Sequence, residues 1–171
     1  MQIFVASDHR GFDLKGKIVA FLTRAPIDPS TPVKVVDLGP KAFDKNDDYN
    51  DAARAVAKAV LTEEKIRKGS DEVFGILICG SAIGISIQAN RFKGIRAAVV
   101  TDLETAESAR SHNNANVLCL SADRLNSAKD PLETESTLED LFALIEKFLS
   151  TPFSNEERHL RRIKRLDEEK L

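Results

Sequence analysis

Short apolar runs alternate with amphipathic stretches about five times along these 171 residues, and few folds accommodate that rhythm. Gln2–Ser7, Val33–Leu38, Val73–Cys79, Arg96–Val100 and Val117–Leu120 read as strands. Val73–Cys79 is apolar nearly throughout, as a strand covered on both faces should be. Phe12–Leu22, Asp51–Leu61 and Ile85–Phe92 read as helices; in the first, Phe12, Ile18, Val19 and Leu22 share one face. Gly39-Pro40 ends the second strand. Thr101 and Glu104, three apart, are expected to cap the helix after the fourth strand. Ser136 and Glu139 are expected to cap another, with Leu138, Leu141, Phe142, Ile145, Phe148 and Leu149 on its buried face. Ser154–Glu157 opens a C-terminal helix. The polar stretches around 25–32, 63–72 and 126–135 read as surface loops or frayed helix ends. The expectation is one α/β domain over 1–171. It holds a doubly wound, Rossmann-like, five-stranded parallel sheet with helices on both faces and a further helix at the C-terminus.

Composition narrows the function. With 25 Lys+Arg against 27 Asp+Glu, the net charge of −2 offers no basic field, so no nucleic-acid partner is expected. No apolar run approaches a membrane span, and MQIFVASDH lacks a signal-peptide layout. Two cysteines make no disulfide framework, which points to reduced thiols in the cytoplasm. Two cysteines and three scattered histidines also lack zinc-ligand spacing, so no metal is expected.

Parallel α/β sheets bind ligands at the carboxyl ends of their strands, so candidate residues should lie just after strands. Asp8 and His9 follow the first strand; a helix cap explains Asp8 alone as well as function does, and the pair raises the functional odds. Cys79-Gly-Ser-Ala-Ile-Gly84 follows the third strand. It is neither a GxGxxG fingerprint nor a P-loop. Its small residues let the backbone approach a ligand, and Cys79 ends the strand beside N–H groups able to lower a thiol pKa. Against this, a buried cysteine is usually a small hydrophobe, and Cys119, inside the fifth strand, reads as core. Ser111–Asn116 holds His112 and Asn113 in a polar loop, where solvated turn residues are the common case. In the last helix Arg158 and Arg162, four apart, form either a solvated basic face or a phosphate clamp, with Leu160, Ile163 and Leu166 as an apolar edge.

Taken together, Ser7–Phe12 (SDHRGF), Asp48-Tyr49, Ile78–Ser81 (ICGS), Gly84–Asn90 (GISIQAN), Gly94–Ala97 (GIRA), His112–Val117 (HNNANV) and Glu157–Arg162 (ERHLRR) resemble the type B ribose-5-phosphate isomerases. That family includes the LacA/LacB galactose-6-phosphate isomerases. The matching segments span nearly the whole chain.

The resemblance implies an aldose–ketose isomerase acting on ribose 5-phosphate and ribulose 5-phosphate through an enediolate. Allose 6-phosphate, galactose 6-phosphate or a tetrulose phosphate would be alternative substrates, and a non-catalytic partner subunit is the remaining alternative. It implies Cys79 as general base, Ser81 as the hydroxyl at the reacting oxygens, and the Gly80–Gly84 loop as the enediolate's hydrogen-bond donor. It implies His112 for ring opening, Asp8 near the ring, Asn113 near the reacting end, and His9, Arg124, Arg158 and Arg162 around the phosphate. It also implies a homodimer with shared active sites, possibly a tetramer, and no metal or organic cofactor. Another branch carries a glutamate base where this chain has Ile85. The chain departs from the pattern at Ala82, usually glycine, at Asn50, usually proline, and at Asp51, where histidine is common.

Overall fold

The computed structural model describes residues 1–24, 32–67, 72–126 and 131–168, with the backbone alone over 125–126 and 131–136. Five strands form one parallel sheet: β1 (Gln2–Ser7), β2 (Lys34–Gly39), β3 (Val73–Cys79), β4 (Ala97–Val99) and β5 (Val117–Ser121). The helices are α1 (Phe12–Arg24), α2 (Tyr49–Ile66), α3 (Ile83–Ala89), α4 (Leu103–Ser111), α5 (Ala122–Asn126), α6 (Pro131–Ser150) and α7 (Glu157–Glu168). The strand order β2-β1-β3-β5-β4 makes the sheet doubly wound, as expected, and the chain reverses its winding between β1 and β3.

Alternation along the strands divides the core in two. Ile3, Val5, Phe74, Ile76, Ile78, Leu118 and Leu120 face α1, α4 and α6. Phe4, Ala6, Leu77, Cys79, Val117 and Cys119 face α2 and α3. Cys119 is fully buried, so its reading as core holds. Each buried branched or aromatic side chain contributes roughly 1.5–3 kcal/mol by leaving water, so the sheet is a rigid platform for its loops.

Several boundaries differ from expectation. The cap of α4 is Asp102, not Thr101: Asp102 Oδ1 accepts the Thr105 N–H at 2.8 Å, and Thr105 Oγ1 accepts the Asp102 N–H at 3.2 Å. Asp102–Thr105 fills the reciprocal geometry expected of Thr101–Glu104, one residue further on. Helix α6 begins at Pro131, so Ser136 lies inside it; proline suits a first helical position, where its missing N–H costs nothing. Helix α2 runs to Ile66, taking part of the stretch read as a loop near 63–72. Residues 25–31, 68–71 and 127–130 of the three polar stretches lie outside the described residues. On α7 the residue that buries is His159, while Leu160 and Leu166 are exposed. Among the described residues, no helix is long and apolar enough to cross a membrane.

Candidate active site

Two strand ends flank the point where the sheet reverses. At β1, Asp8 caps the 3-10 turn His9–Gly11 by accepting the N–H groups of Arg10 at 3.0 Å and Gly11 at 3.1 Å. Burial is the largest influence on the Asp8 carboxyl and holds its pKa above the ordinary value, against those N–H groups and the neighbouring His9. At β3, Cys79 is buried and ends the strand. The N–H groups of Ile85, Ala82 and Ser81 act on its sulfur and favour the thiolate, but burial outweighs them. The thiol pKa is therefore raised, not lowered: burial of the sulfur outweighs the loop N–H groups.

The loop after Cys79 owes its shape to close approaches. A side chain on Gly80 would lie 2.6 Å from Arg10 Cζ, and one on Gly84 would lie 2.6 Å from Tyr49 Cζ. The Gly80 carbonyl accepts Ser121 Oγ–H at 2.7 Å and the Asp123 N–H at 3.1 Å. Ala82, fully buried, adopts φ 65° and ψ −13°, the left-handed region that favours glycine. Ser81 is exposed, and its Oγ accepts the Ile83 N–H at 3.3 Å.

Above β1 the His9 imidazole meets Asp47: Nδ1 to Oδ1 is 2.8 Å, and the His9 backbone N–H donates to the same oxygen at 2.8 Å. That hydrogen bond is the chief reason the His9 pKa is raised. Arg10 pairs with Asp123 at 2.6 Å, bridging β1 to α5. Arg124 follows β5 and donates to the Thr101 carbonyl at 2.6 Å. It lines a cavity of about 330 Å³ with Thr101, Asp102, Ser121, Thr137 and Asp140. That cavity includes Leu120 and Leu144 of the α1/α4/α6 core, so it lies across the sheet from Cys79.

The remaining candidates lie elsewhere. Helix α4 leaves the carboxyl end of β4 and returns toward the amino end of β5, and His112 caps its last turn. Val117, which starts β5, pairs with Gly75, four residues before Cys79, or about 13 Å of strand. The turn carrying His112 is anchored by Arg110, whose Nη1 donates to Asn114 Oδ1 at 2.6 Å and the Ala115 carbonyl at 2.8 Å. Its guanidinium lies 4.9 Å from the Phe74 ring. Asn113 Nδ2 donates to the Ser108 carbonyl at 3.4 Å. The His112 ring lies 4.6 Å from that of His159, and His159 Nδ1 is 2.8 Å from Ser154 Oγ. Arg158 pairs with Glu156 at 2.8 Å, and Arg162 is exposed one turn on. Thus Asp8, His9, Cys79, Gly80, Ser81 and Gly84 converge at one end of the sheet. His112, Asn113, Arg158 and Arg162 gather toward the other.

A family model described as Ribose/Galactose Isomerase matches residues 3–166. The chain belongs to the ribose/galactose isomerase family. It is 40% identical over 164 residues to a probable ribose-5-phosphate isomerase B of Mycoplasma genitalium, covering 96% of this chain and 92% of that protein. It is 33% identical over 163 residues to ribose-5-phosphate isomerase B of Mycolicibacterium paratuberculosis, covering 95% and 87%. Among solved structures, the ribose 5-phosphate isomerase of Thermotoga maritima superposes with a TM-score of 0.77 at 38% identity, covering 98% of both chains. The Mycoplasma genitalium enzyme with bound ribulose-5-phosphate gives 0.75 at 40% identity, covering 97% of this chain and 93% of that one.

Arg10, Asp47 and Asp123 were not among the sequence candidates. Asp47 sits in an acidic stretch with Asp44, Asp48 and Asp51, where no spacing separates it from a solvated loop acid. Arg10 lies inside SDHRGF, but its partner Asp123 is far along the chain. Among the described residues, no three His, Cys, Asp or Glu side chains are grouped to hold a metal ion.

Proposed function

We propose that this sugar-phosphate isomerase interconverts ribose 5-phosphate and ribulose 5-phosphate through an enediolate, with Cys79 as general base. The observation that carries the reading is the Cys79 sulfur at the carboxyl end of β3, facing three loop N–H groups. The minor thiolate form of Cys79, a stronger base for its raised pKa, removes the C2 proton of the open-chain aldose, and the electron pair moves toward the carbonyl oxygen. The loop N–H groups stabilise the resulting negative charge. The thiol then returns the proton to C1, while the hydroxyl proton passes from O2 to O1 beside Ser81. No atom is gained or lost. His112 opens the furanose ring, Asp8 holds the ring oxygens and Asn113 the reacting end. His9 and Arg124 of one chain, with Arg158 and Arg162 of a second copy, hold the phosphate, which keeps a small flexible substrate in register. The reaction uses no metal and no organic cofactor. The enzyme works in the cytoplasm, where its two free thiols stay reduced.

A homodimer is part of this reading. Cys79 and His112 stand toward opposite ends of one sheet, so one chain does not bring both to one substrate. A two-fold pair can place one chain's His112 beside the other's Cys79. Exposed Ile83 and Ile87, one turn apart on α3 beside the Cys79 loop, supply an apolar face for that contact.

The test is a substrate panel. Ribose 5-phosphate, allose 6-phosphate and galactose 6-phosphate are incubated with purified protein in the presence of EDTA, and ketose formation is followed. The expected result is fastest turnover of ribose 5-phosphate, undiminished by EDTA and abolished by Cys79→Ala. Faster turnover of a hexose phosphate would reassign the substrate. Near-normal rates in Cys79→Ala would remove the base, and no turnover at all would leave a non-catalytic subunit.

A further inference from the structure

The loop between β2 and α2 reaches over the end of β1 and clasps His9 on two sides. Asp47 Oδ1 takes both the ring Nδ1 and the backbone N–H of His9, each at 2.8 Å. Phe43 packs edge-on against the His9 ring, with centroids 6.4 Å apart, and against Phe12 at 6.1 Å. Two contacts to one carboxylate oxygen fix the ring's position and its tautomer together: Nδ1 carries a proton, and Nε2 remains for a ligand. Among the described residues, no other side chain hydrogen-bonds the ring.

We propose that Asp47 is a positioning residue that holds the His9 ring by Nδ1 and so directs its Nε2–H to the substrate phosphate. This rests on the sugar-phosphate reading above and assigns to this chain a residue that reading does not use. A phosphate monoester loses its second proton near pH 6, and an unassisted histidine loses its charge near 6.5. Without help, dianion and imidazolium would coexist only over a narrow interval. Among the described residues, the charged groups acting on His9 are Asp8, on its own turn, and Asp47, from the loop; both favour the cation. Partial dehydration opposes them, and the Asp47 hydrogen bond is the larger influence. The sign follows: the raised pKa extends the cation's interval upward, and phosphate binding weakens only once pH passes it.

The experiment compares the full-length enzyme with Asp47→Asn and Asp47→Ala. Asn keeps an oxygen for Nδ1–H but no charge, whereas Ala removes both. In Asp47→Asn, KM for ribose 5-phosphate should rise about tenfold at pH 7.5 and less than about twofold at pH 6, the loss of one charge-assisted hydrogen bond. The effect should fall on KM, not kcat. Asp47→Ala should raise KM at both pH values, because orientation is lost as well. NMR titration of the three histidines, assigned by substitution, should show the His9 pKa lower in Asp47→Asn. Inorganic phosphate should shift the His9 ring signals of the parent at pH 7.5 and shift those of Asp47→Asn less. A KM–pH profile for Asp47→Asn that overlies the parent's would overturn the proposal, as would an unchanged His9 titration. Absence of isomerase turnover with the phosphate response intact would instead retire the substrate reading and leave Asp47's role standing.

Discussion

Ala82 carries the most exposed test of the loop beside Cys79, because three energies act on one methyl group. At φ 65° an L-residue bears about 1–2 kcal/mol of steric strain that glycine does not. Replacing Ala82 by Gly relieves that strain. It also removes a fully buried methyl, costing about 0.8 kcal/mol, and frees the unfolded chain, costing about 0.4–1 kcal/mol. The sum lies close to zero. Ala57 provides the control: it is also fully buried but lies in the middle of α2. There Ala57→Gly relieves nothing, loses about 1 kcal/mol of helix propensity and forfeits the same methyl, so it should cost about 2 kcal/mol. Urea melts of the two variants, compared at equal m-values, should separate by about 2 kcal/mol. Equal destabilisation would refute the reasoning, because Ala82 would then occupy ordinary backbone. The functional corollary has a direction as well. Glycine adopts the same turn, so Ala82→Gly should keep kcat/KM near the parent's. Ala82→Val, a branched side chain at positive φ in a filled space, should lose both stability and turnover.

Lys15, buried in α1, bonds both oxygens of Asp37 at 2.9 Å and the Pro40 carbonyl at 2.8 Å, so Asp37→Ala strands a cation and should cost about 3 kcal/mol in urea melts. Burial raises the Asp37 pKa, but Lys15, the Gly39 N–H and Lys41 lower it further, to a net decrease. Its stabilisation is therefore complete above about pH 4 and is lost as pH falls through the lowered value, which acid titration of parent and variant will check. Cys79, with its raised pKa, should react slowly with iodoacetamide at neutral pH and faster only above the range of a free thiol. Rapid labelling near pH 7 would mean that the loop N–H groups outweigh burial after all. Finally, inactive Cys79→Ala and His112→Ala chains, unfolded and refolded together in equal amounts, should regain roughly a quarter of parent activity, since half the dimers are mixed and each has one intact site. No recovery would refute sharing between chains.

The sheet was legible because burial on both faces leaves an unmistakable record: β3 is apolar at nearly every position, and β1 and β5 nearly so. Helix starts were less legible, because Asp102–Thr105 and Ser–Glu pairs satisfy the same N–H groups, and Thr101 lies one residue from the true cap. The position of Cys79 at a strand end followed from the pattern, but the sign of its pKa did not. That sign depends on how deeply neighbours from α2, α3 and the sheet bury the sulfur, and no local motif encodes depth. Arg10–Asp123 and His9–Asp47 were invisible for a related reason, joining residues 113 and 38 positions apart.

The same limit applies to the site as a whole. Its residues lie in family order along the chain, so the sequence reads as one continuous active site. The parallel topology nevertheless sends α4 away from the carboxyl edge and delivers His112 to the amino edge. A connection between parallel strands has no alternative, because each helix must return to the sheet's starting side before the next parallel strand can begin. His112 and the strand-end residues therefore stand apart within one chain, which is why the proposed mechanism calls for a second copy. Exposed Ile83 and Ile87, beside the cysteine loop, offer the apolar face that the proposed pairing would cover.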